Sequence, residues 1–220
     1  MNQKPKSFDV PDQEQVWDEI AESWNERRRL PGPIVLKFVK ESKGNFLDLG
    51  CGSGRNLVKN KNSIFYLVDF SQNMINLAEK KAKKLKLKFK LIKTDVSDLR
   101  CFEDNFFDNA LFIATLHCLD KKKRNKTLKE IYRVLKKKGI ALISVWSTNH
   151  PAFKRFKNKK EILLAWVTNQ GKANEKRNLR YYYFYTKDEF IDDLKKAGFN
   201  VLNIKDTLEN TGLSAKVEKI

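Results

Sequence analysis

Short apolar runs alternate with helical patterns through the middle of the chain, and this alternation restricts the folds that are open to it. Five runs read as strands, namely NFLDLG, SIFYLVDF, KFKLIKTD, FFDNALFIAT and IALISVW. Between them, QNMINLAEKKAKKL and KRNKTLKEIYRVLKKKG have the apolar spacing of amphipathic helices, and RNLVKN reads as a helical turn. This order predicts an α/β fold with a doubly wound, mostly parallel sheet. The strands are almost continuously apolar, which is typical of strands buried on both faces.

Both ends of the chain extend this pattern. At the N-terminal end, VPDQEQVWDEIAESWNE predicts a helix over residues 10–26, and a second short helix follows and ends at Gly44. Gly139 is expected to close the helix before the fifth strand. Beyond that strand, KEILLAWV predicts a short helix, LRYYYFY a strand, and TKDEFIDDLKKAG a helix with a capping box of Thr186 and Glu189. FNVLNIKD and SAKVEKI predict two final strands, and we expect the last strand to be antiparallel.

The charge of the chain favours a polyanionic partner. Lysine and arginine total 45 against 27 acidic residues, which gives a formal net charge of +18 in 220 residues. Such an excess repels itself, and a nucleic acid partner explains it directly. A lysine-rich proteome or thermal adaptation of the surface is the alternative explanation, although thermal adaptation usually adds glutamate together with lysine.

The composition argues against several classes of protein. The cysteines, Cys51, Cys101 and Cys118, form no Cys-x-x-Cys pair and are accompanied only by His117 and His150. Neither a disulfide framework nor a metal site is therefore expected. The sequence has no apolar run of about 18 residues and no signal peptide, so we expect a cytoplasmic protein with no membrane partner.

A glycine-rich stretch, LDLGCGSGRN, follows the first strand. Gly50, Gly52 and Gly54 let the backbone turn tightly and approach a ligand closely. Their G-x-G-x-G spacing differs from the G-x-G-x-x-G spacing of dinucleotide sites. Asp48 precedes this loop, where its carboxylate would repel a pyrophosphate but suits an ammonium group. The alternative is that Asp48 only caps the glycine turn.

Two further acids end the next two strands. Asp69 is placed to accept both hydroxyls of a ribose, and Asp95 to accept from the amino group of an adenine, unless it only caps a short turn. Ligands of open α/β sheets bind at the carboxyl ends of the strands. A ligand with an amino acid, a ribose and an adenine but no phosphate is S-adenosylmethionine. We expect Phe70, Val96 and Ala114 to contact this cofactor as well.

Residues 44–146 resemble the class I S-adenosylmethionine-dependent methyltransferases, which have a Rossmann-like fold. Four stretches are more specific: VWDEIAESWNERRRLPGPIV, LVDFSQNMI, FIATLHCLDKKKRNKTLKEIYRVLKKKG, and VWSTNH with RYYYFYTKDEF. In order and spacing they resemble the tRNA methyltransferases that esterify 5-carboxymethyluridine at the wobble position. Three positions depart from the pattern of that family: His117-Cys118, Gly32 and Tyr183-Phe184.

The resemblance implies one methyltransferase domain over residues 1–220. Residues 10–43 would form an N-terminal helical flap, and residues 147–185 an insertion on the substrate side. The resemblance also implies a cytosolic enzyme that binds tRNA and forms a heterodimer with a small zinc-binding activator subunit. The strand KFKLIK is expected at the edge of the sheet, where that subunit would complete it.

The stretch NERRRLPGPIV predicts how an acceptor is held. A carboxylate acceptor is ionised at neutral pH, so it needs no strong general base but does need a cationic clamp. The planar fork of arginine matches a carboxylate. Register against Pro31 favours Arg28 as the catalytic clamp, and Arg27 and Arg29 are expected to bind substrate, for instance a phosphate.

Four residues elsewhere are candidates for contact with the acceptor. His117 is predicted to be catalytic through a hydrogen bond to the acceptor or the uracil; a buried histidine at a helix start is the alternative. Trp146, Arg180 and Tyr182 are predicted to bind substrate. A core position is the alternative for Trp146 and Tyr182, and an ion pair with an acid is the alternative for Arg180.

Three functions remain open at this level. The leading one is a tRNA methyltransferase that acts on the carboxylate of wobble 5-carboxymethyluridine. A methyltransferase of small molecules, such as a quinone or lipid precursor, would show no salt-sensitive binding of tRNA. A nonenzymatic RNA-binding protein of the same fold would bind tRNA without methyl transfer, and the complete set of Asp48, Asp69 and Asp95 argues against it.

Overall fold

The structure is a computed structural model that describes residues 9–148, 151–156, 159–207 and 212–220. The helices are α1 (Gln13–Arg27), α2 (Pro33–Glu41), α3 (Gln72–Lys84), α4 (Lys121–Val134) and α5 (Lys187–Lys196). The strands are β1 (Gly44–Leu49), β2 (Ser63–Asp69), β3 (Lys88–Lys93), β4 (Phe107–Ile113), β5 (Leu135–Trp146), β6 (Glu161–Thr168), β7 (Lys176–Tyr183), β8 (Phe199–Thr207) and β9 (Gly212–Lys219). Short 3-10 helices cover Leu116–Cys118 and Pro151–Phe156.

Seven strands of the described chain form one sheet in the order β3-β2-β1-β4-β5-β9-β8. The pairs from β3 to β5 are parallel, and β9 is antiparallel to both β5 and β8. The predicted α/β fold, with a mostly parallel sheet and an antiparallel last strand, is confirmed. β3 lies at the edge of the sheet, as expected.

Apolar side chains cover both faces of this sheet. On one face α4 and α5 pack through Leu128, Ile131 and Phe190 against a core that includes Leu47. On the other face α2 and α3 pack against a core that includes Phe46. Phe46 and Leu47 are neighbours in β1 that point to opposite faces, and both are fully buried. Burial on both faces explains why β1 reads as a continuous apolar run.

Side-chain caps fix where the helices begin. Ser71 accepts a backbone hydrogen bond that starts α3. The predicted capping box at the start of α5 is confirmed, since Thr186 and Glu189 accept from each other's backbone amides. The Asp12 side chain caps α1 by accepting from the backbone amides of Glu14 and Gln15, so this helix begins at Gln13 rather than at residue 10.

Side-chain hydrogen bonds hold α1 in two places, at the start of α3 and at β7. Asp18 accepts from Ser71 Oγ at 2.7 Å and from the backbone amide of Asn73 at 2.8 Å. Gln13 Oε1 accepts from the backbone amide of Tyr181 at 2.9 Å. The helix therefore bridges the start of α3 and the β6–β7 hairpin.

The prediction of a helical turn after the glycine loop is wrong. Residues 55–60 of the segment RNLVKN form a turn followed by irregular backbone, so no helix joins β1 to β2. The neighbouring helix α2 packs over β1 instead, with the rings of Phe38 and Phe46 6.0 Å apart. The apolar residue Leu57 is buried beneath this short connection.

Two predicted helix ends are also wrong. Gly139 does not close α4, because that helix ends at Val134 and β5 begins at Leu135, which pairs with Phe107. Leu135 is fully buried, and this burial draws it into the sheet. The second helix ends at Glu41 rather than at Gly44, because Gly44 already begins β1.

The segment KEILLAWV forms a strand rather than the predicted helix. Residues 161–167 of this segment lie in β6, which forms an antiparallel hairpin with β7. Glu161 lies opposite Tyr183 at one end of the hairpin, and Thr168 lies opposite Lys176 at the other. A short apolar run of this kind fits either structure, and the partner strand decides between them. The region between β5 and α5 therefore carries a two-stranded sheet beside the main one.

Candidate cofactor and acceptor site

A cavity of about 240 Å³ lies at the carboxyl ends of the parallel strands. This is where open α/β sheets bind their ligands. Several of the residues that were predicted to bind a cofactor meet there. They are Gly50, Asp69, Phe70, Asp95, Val96 and Ala114.

The glycine loop is shaped by close packing. Gly50 has a φ of +63°, and a Cβ atom at this position would lie 2.6 Å from Thr115 Oγ1. Gly54 has a φ of +76°, and its Cβ would lie 3.1 Å from the Cα of Ala78 in α3. Both positions therefore need glycine, for the backbone angle and for space. Between them, the amide of Gly52 points to the carboxylate of Asp69.

Asp48 is a buried acid whose carboxylate has no hydrogen-bond partner in the described residues. Its side chain is 1% exposed, and neither carboxylate oxygen has a hydrogen-bond partner in the described part of the chain. Burial and the nearby charge of Asp69 raise the pKa of Asp48 to about 7, although Arg55 and Lys81 oppose this shift. A buried, unpaired carboxylate favours a bound cation. The ammonium group of an amino acid ligand fits this requirement.

Asp69 is held in a fixed orientation by the backbone. Its Oδ2 accepts from the amide of Gly52 at 2.8 Å, and its Oδ1 accepts from the amide of Ser71 at 3.0 Å. Burial raises the pKa of Asp69 to about 6, although these hydrogen bonds act in the opposite direction. The remaining lone pairs of the carboxylate are free to accept from ligand hydroxyls.

Asp95 shares its carboxylate with a lysine. Lys123 Nζ lies 2.7 Å from Asp95 Oδ2, and the amide of Ser97 donates to Oδ1 at 2.8 Å. Burial alone would raise the pKa of Asp95, but the hydrogen bonds from Lys123 and Ser97 outweigh it and lower that pKa. Lys123 lines the cavity, so it competes there for the carboxylate that would accept from an adenine.

The three arginines after α1 point in different directions. The guanidinium of Arg27 lies over the ring of Trp166 at 4.9 Å, and Arg29 Nε donates to a carbonyl at the end of α1 at 3.0 Å. Arg28 lies close enough to Arg180 that, after burial, its charge contributes to lowering the pKa of Arg180. Arg28 and Arg180 both lie over the ring of Trp24, so Arg28 is near the other candidate residues for the acceptor, and Arg27 reaches the same cluster through Trp166.

Arg180 is buried among aromatic rings. Its side chain is 3% exposed, and Trp17, Trp24, Trp166 and Tyr182 have ring centroids 5.6, 5.3, 4.9 and 5.1 Å from its guanidinium carbon. Its Nη1 donates to Tyr182 Oη at 2.5 Å, and its Nε has no partner among the described residues. No acid in the described ranges forms an ion pair with it. This guanidinium is therefore available to a bound anion.

His117, Trp146 and Tyr182 form one stack next to Arg180. Trp146 lies 4.9 Å from His117 and 4.2 Å from Tyr182, measured between ring centroids. The amide of Trp146 donates to His117 Nδ1 at 3.2 Å, while His117 Nε2 has no partner in the described chain. Burial, and then the charge of Arg180, lower the pKa of His117 to about 3. The imidazole is therefore neutral, with its proton on Nε2.

Other lining residues were not predicted from the sequence. They are Val10, Gln13, Trp17, Thr115, Cys118, Leu119, Asp120, Lys123 and Tyr181. The lining residues after β4 could have been predicted from the sequence, because they follow the end of a strand on the ligand side of the sheet. The lining residues on α1 could not have been predicted, because the spacing of the apolar residues there indicates only an apolar helix face. Of the stretch VWSTNH, Asn149 and His150 lie outside the described residues.

The residues of this site fit S-adenosylmethionine. An unpartnered buried acid, an oriented acid and a third acid lie at the ends of successive strands, as its amino, ribose and adenine groups require. The methyltransferase domain family matches residues 47–143. The fold is that of the class I methyltransferases, the domain match covers residues 47–143, and S-adenosylmethionine is the cofactor that the site fits. No helix in the described ranges is long and apolar enough to cross a membrane.

Several curated relatives of this chain are named for one reaction, and others are named only as putative methyltransferases. The chain is 30% identical over 73% of its length to a tRNA (carboxymethyluridine(34)-5-O)-methyltransferase of Xenopus tropicalis, and spans 24% of that protein. It is 32% identical over 60% of its length to the protein of that name from Arabidopsis thaliana, and spans 32% of it. The Schizosaccharomyces pombe protein of that name is 27% identical, with 86% of this chain and 88% of that protein aligned. The chain thus spans a third or less of the first two relatives.

Solved structures agree on the fold. An S-adenosylmethionine-dependent methyltransferase from Methanosarcina mazei superposes with a TM-score of 0.68 at 23% identity, covering 87% of this chain and 99% of that one. One from Clostridium acetobutylicum superposes with a TM-score of 0.68 at 19% identity, covering 92% and 98%. At these identities the likeness supports the fold alone.

Proposed function

We propose that this protein is a tRNA methyltransferase that methylates the carboxylate of 5-carboxymethyluridine at the wobble position. The names of the relatives from Xenopus tropicalis, Arabidopsis thaliana and Schizosaccharomyces pombe support this substrate. The formal net charge of +18 supports a nucleic acid as the partner, because lysine and arginine bind phosphates.

One observation carries the proposal, namely the buried guanidinium of Arg180 without an acidic partner. Its only hydrogen bond goes to the neutral phenol of Tyr182 within the described chain. A buried charge without a counterion is unfavourable, so a bound anion stabilises it. A carboxylate acceptor is such an anion and accepts two parallel hydrogen bonds from a guanidinium. Arg28 is the second cation at this place.

The residues at the cofactor site have separate tasks in this proposal. Asp48 would bind the amino group of S-adenosylmethionine, Asp69 the ribose and Asp95 the adenine. The cofactor supplies an electrophilic methyl group on a sulfonium. Arg28 and Arg180 would hold the acceptor carboxylate, and the rings around Arg180 would exclude water from it.

His117 acts as a hydrogen-bond donor in this proposal and not as a base. Its pKa of about 3 keeps it neutral, and its Nδ1 is already occupied by the amide of Trp146. Nε2–H is then a buried donor aimed at no described residue, and the acceptor or its uracil ring would receive this hydrogen bond. A carboxylate acceptor carries no proton to remove, so the absence of a base is consistent with the reaction.

The proposal includes two protein features outside the site. Residues 10–43 act as a flap over the acceptor, since α1 contributes Gln13 and Trp17 to the cavity wall. The edge strand β3 has no strand beyond it in the described chain, and a small zinc-binding activator subunit would pair there.

Methyl incorporation into tRNA tests the reaction. Labelled S-adenosylmethionine is incubated with total tRNA that lacks its wobble methyl ester, with and without a small zinc-binding activator. We expect label in the tRNA that mild base releases, because esters are hydrolysed by base. Label that resists base would contradict a carboxylate acceptor, and absence of label in both incubations would contradict the proposed function.

Arginine variants test how the acceptor is held. We expect Arg28→Ala and Arg180→Lys each to lower the rate of methylation about 100-fold, in the range for loss of one preorganised donor. Binding of S-adenosylhomocysteine, measured by calorimetry, should remain unchanged in both. Arg100→Ala is the matched control and should keep the wild-type rate, since this exposed side chain pairs with Asp98 and lies outside the cofactor cavity. A wild-type rate in Arg28→Ala would remove Arg28 from the site.

A further inference from the structure

A second cavity, of about 190 Å³, lies between α2 and the strands β5, β8 and β9. Its floor includes the buried side chain of Leu142. Lys37, Lys205 and Lys216 line it from three different elements, together with one acid, Glu41. No residue that lines the cofactor cavity lines this one. We call this second cavity the α2 groove.

A buried hydroxyl without a partner lies in the α2 groove. Ser214 is 2% exposed, and its Oγ has no hydrogen-bond partner in the described chain. Buried polar groups are almost always hydrogen-bonded, so this hydroxyl is available to a ligand. Lys205 lies directly opposite Ser214 across the β8–β9 ladder, and both residues line the groove.

The charge of the α2 groove is unbalanced. Lys37 pairs with Glu41 at 3.9 Å, and both side chains are largely exposed. Neither Lys205 nor Lys216 forms an ion pair with any residue of the described ranges. Two ammonium groups without ion pairs and an unsatisfied hydroxyl in one groove match the oxygens of a phosphate group.

The position of the α2 groove relates it to the acceptor site. Ser214 lies two residues along β9 from Gly212, which pairs with Trp146 at the end of β5. At about 3.3 Å per residue, Ser214 is roughly 7 Å from the end of the sheet that carries the acceptor site. The helix α2 follows directly from the turn that bears Arg28.

We propose that the α2 groove binds a backbone phosphate of the RNA whose wobble nucleotide occupies the acceptor site. This inference rests on the proposed function, because that function supplies the RNA. Lys205 and Lys216 neutralise the phosphate, and Ser214 Oγ donates a hydrogen bond to it. The contact positions the RNA and reads no base.

The salt dependence of tRNA binding tests this inference. The variant Lys205→Gln with Lys216→Gln is compared with Lys84→Gln with Lys137→Gln, which removes the same charge from exposed lysines outside both cavities. Affinity is measured by fluorescence anisotropy from 50 to about 200 mM salt, the range over which phosphate contacts weaken strongly. The plot of log K against log salt has a negative slope, and the magnitude of this slope should be smaller by about 0.7 to 0.9 in the first variant, the value for one lost phosphate contact. The second variant should keep the wild-type slope.

Further readouts separate this inference from the proposed function. Ser214→Ala should weaken tRNA binding severalfold at constant salt, without a change of charge, while S-adenosylhomocysteine binds all variants equally. If both double variants show the same salt dependence of tRNA binding while the wild-type protein methylates tRNA, the α2 groove does not bind a phosphate. The proposed function would then stand without it. Wild-type protein that neither binds nor methylates tRNA would overturn both.

Discussion

At the scale of single residues, Asp48 links cofactor binding to stability. Its carboxylate is buried without a partner, and burial and Asp69 raise its pKa to about 7. In the unfolded chain the pKa of an aspartate is about 4. Between these values the folded protein without cofactor binds a proton that the unfolded chain has released, so the free energy of unfolding falls as pH rises. A bound ammonium group would remove this penalty.

Replacing Asp48 tests this link. We expect Asp48→Asn to flatten the pH dependence of the free energy of unfolding between about pH 4 and 7, where one proton contributes a slope of up to about 1.4 kcal/mol per pH unit. Asp69, whose pKa is raised to about 6, would leave a residual slope. Urea unfolding of ligand-free protein at several pH values measures this. Identical slopes in wild type and variant would show that Asp48 is not the group that titrates.

At the scale of elements, the short connection between β1 and β2 determines how the glycine loop is supported. No helix lies between these strands, so the loop packs directly on α3. Gly54 makes that contact with a φ of +76°, and Gly171, in the turn of the β6–β7 hairpin, has a nearly equal φ of +75° with no atom within 4 Å of a Cβ. The two glycines therefore differ in available space but have nearly the same φ.

This pair gives a matched test of packing. Gly171→Ala should lower the free energy of unfolding by about 1–2 kcal/mol, the cost of a left-handed conformation for a residue with a Cβ. Gly54→Ala should lower it by more, because its Cβ would lie 2.9 Å from Leu57 Cδ1 and 3.1 Å from Ala78 Cα. Urea midpoints measure both. Equal losses would mean that the loop moves away from α3 without cost.

The elements that the sequence predicts well are those that local rules decide. Ser71 and the Thr186–Glu189 capping box start α3 and α5, as side-chain caps do in any helix. The end of α4 could not be predicted, because burial of Leu135 against β4 overrides the glycine that follows. The strand β6 could not be predicted either, since its pairing with β7 decides its structure.

The candidate site also has a part that the sequence predicts and a part that depends on tertiary contacts. Asp69 ends β2 and Asp95 follows the end of β3, and they line one cavity with Gly50, Phe70, Val96 and Ala114, because the carboxyl ends of parallel strands meet at one edge. Asp48, Gly52 and Gly54 do not line this cavity. The environment of Arg180 could not be predicted. Its aromatic neighbours Trp17 and Trp166 come from α1 and β6, which are distant in sequence and meet only in the folded chain.

At the scale of the whole molecule, the charge is a source of repulsion. A formal net charge of +18 on a folded chain of 220 residues raises the free energy of the compact state, because the charges are closer together than in the unfolded chain. Several lysines without ion pairs, among them Lys205 and Lys216, contribute to this repulsion in the described part of the molecule. Bound polyanion or dissolved salt relieves it.

Salt should therefore stabilise the free protein. We expect the Tm to rise by several degrees between about 10 and 300 mM sodium chloride, with most of the change below 150 mM, where the Debye length shortens to about 8 Å. Differential scanning fluorimetry measures this, with sucrose of equal osmolarity as the control. A Tm that sucrose raises as much as salt would exclude charge repulsion as the cause.

The edge strand β3 has a consequence for how the protein behaves at high concentration. Its sequence KFKLIK exposes Lys88 and Lys90, while Phe89 and Leu91 between them are partly buried. An unpaired strand edge can add the strand of another molecule, and closely spaced positive charges oppose this by keeping two copies apart. Acetylation of these lysines would remove two of the three charges on this strand and weaken that barrier at an open edge. Aggregation would then begin from a correctly folded protein rather than from an unfolded one.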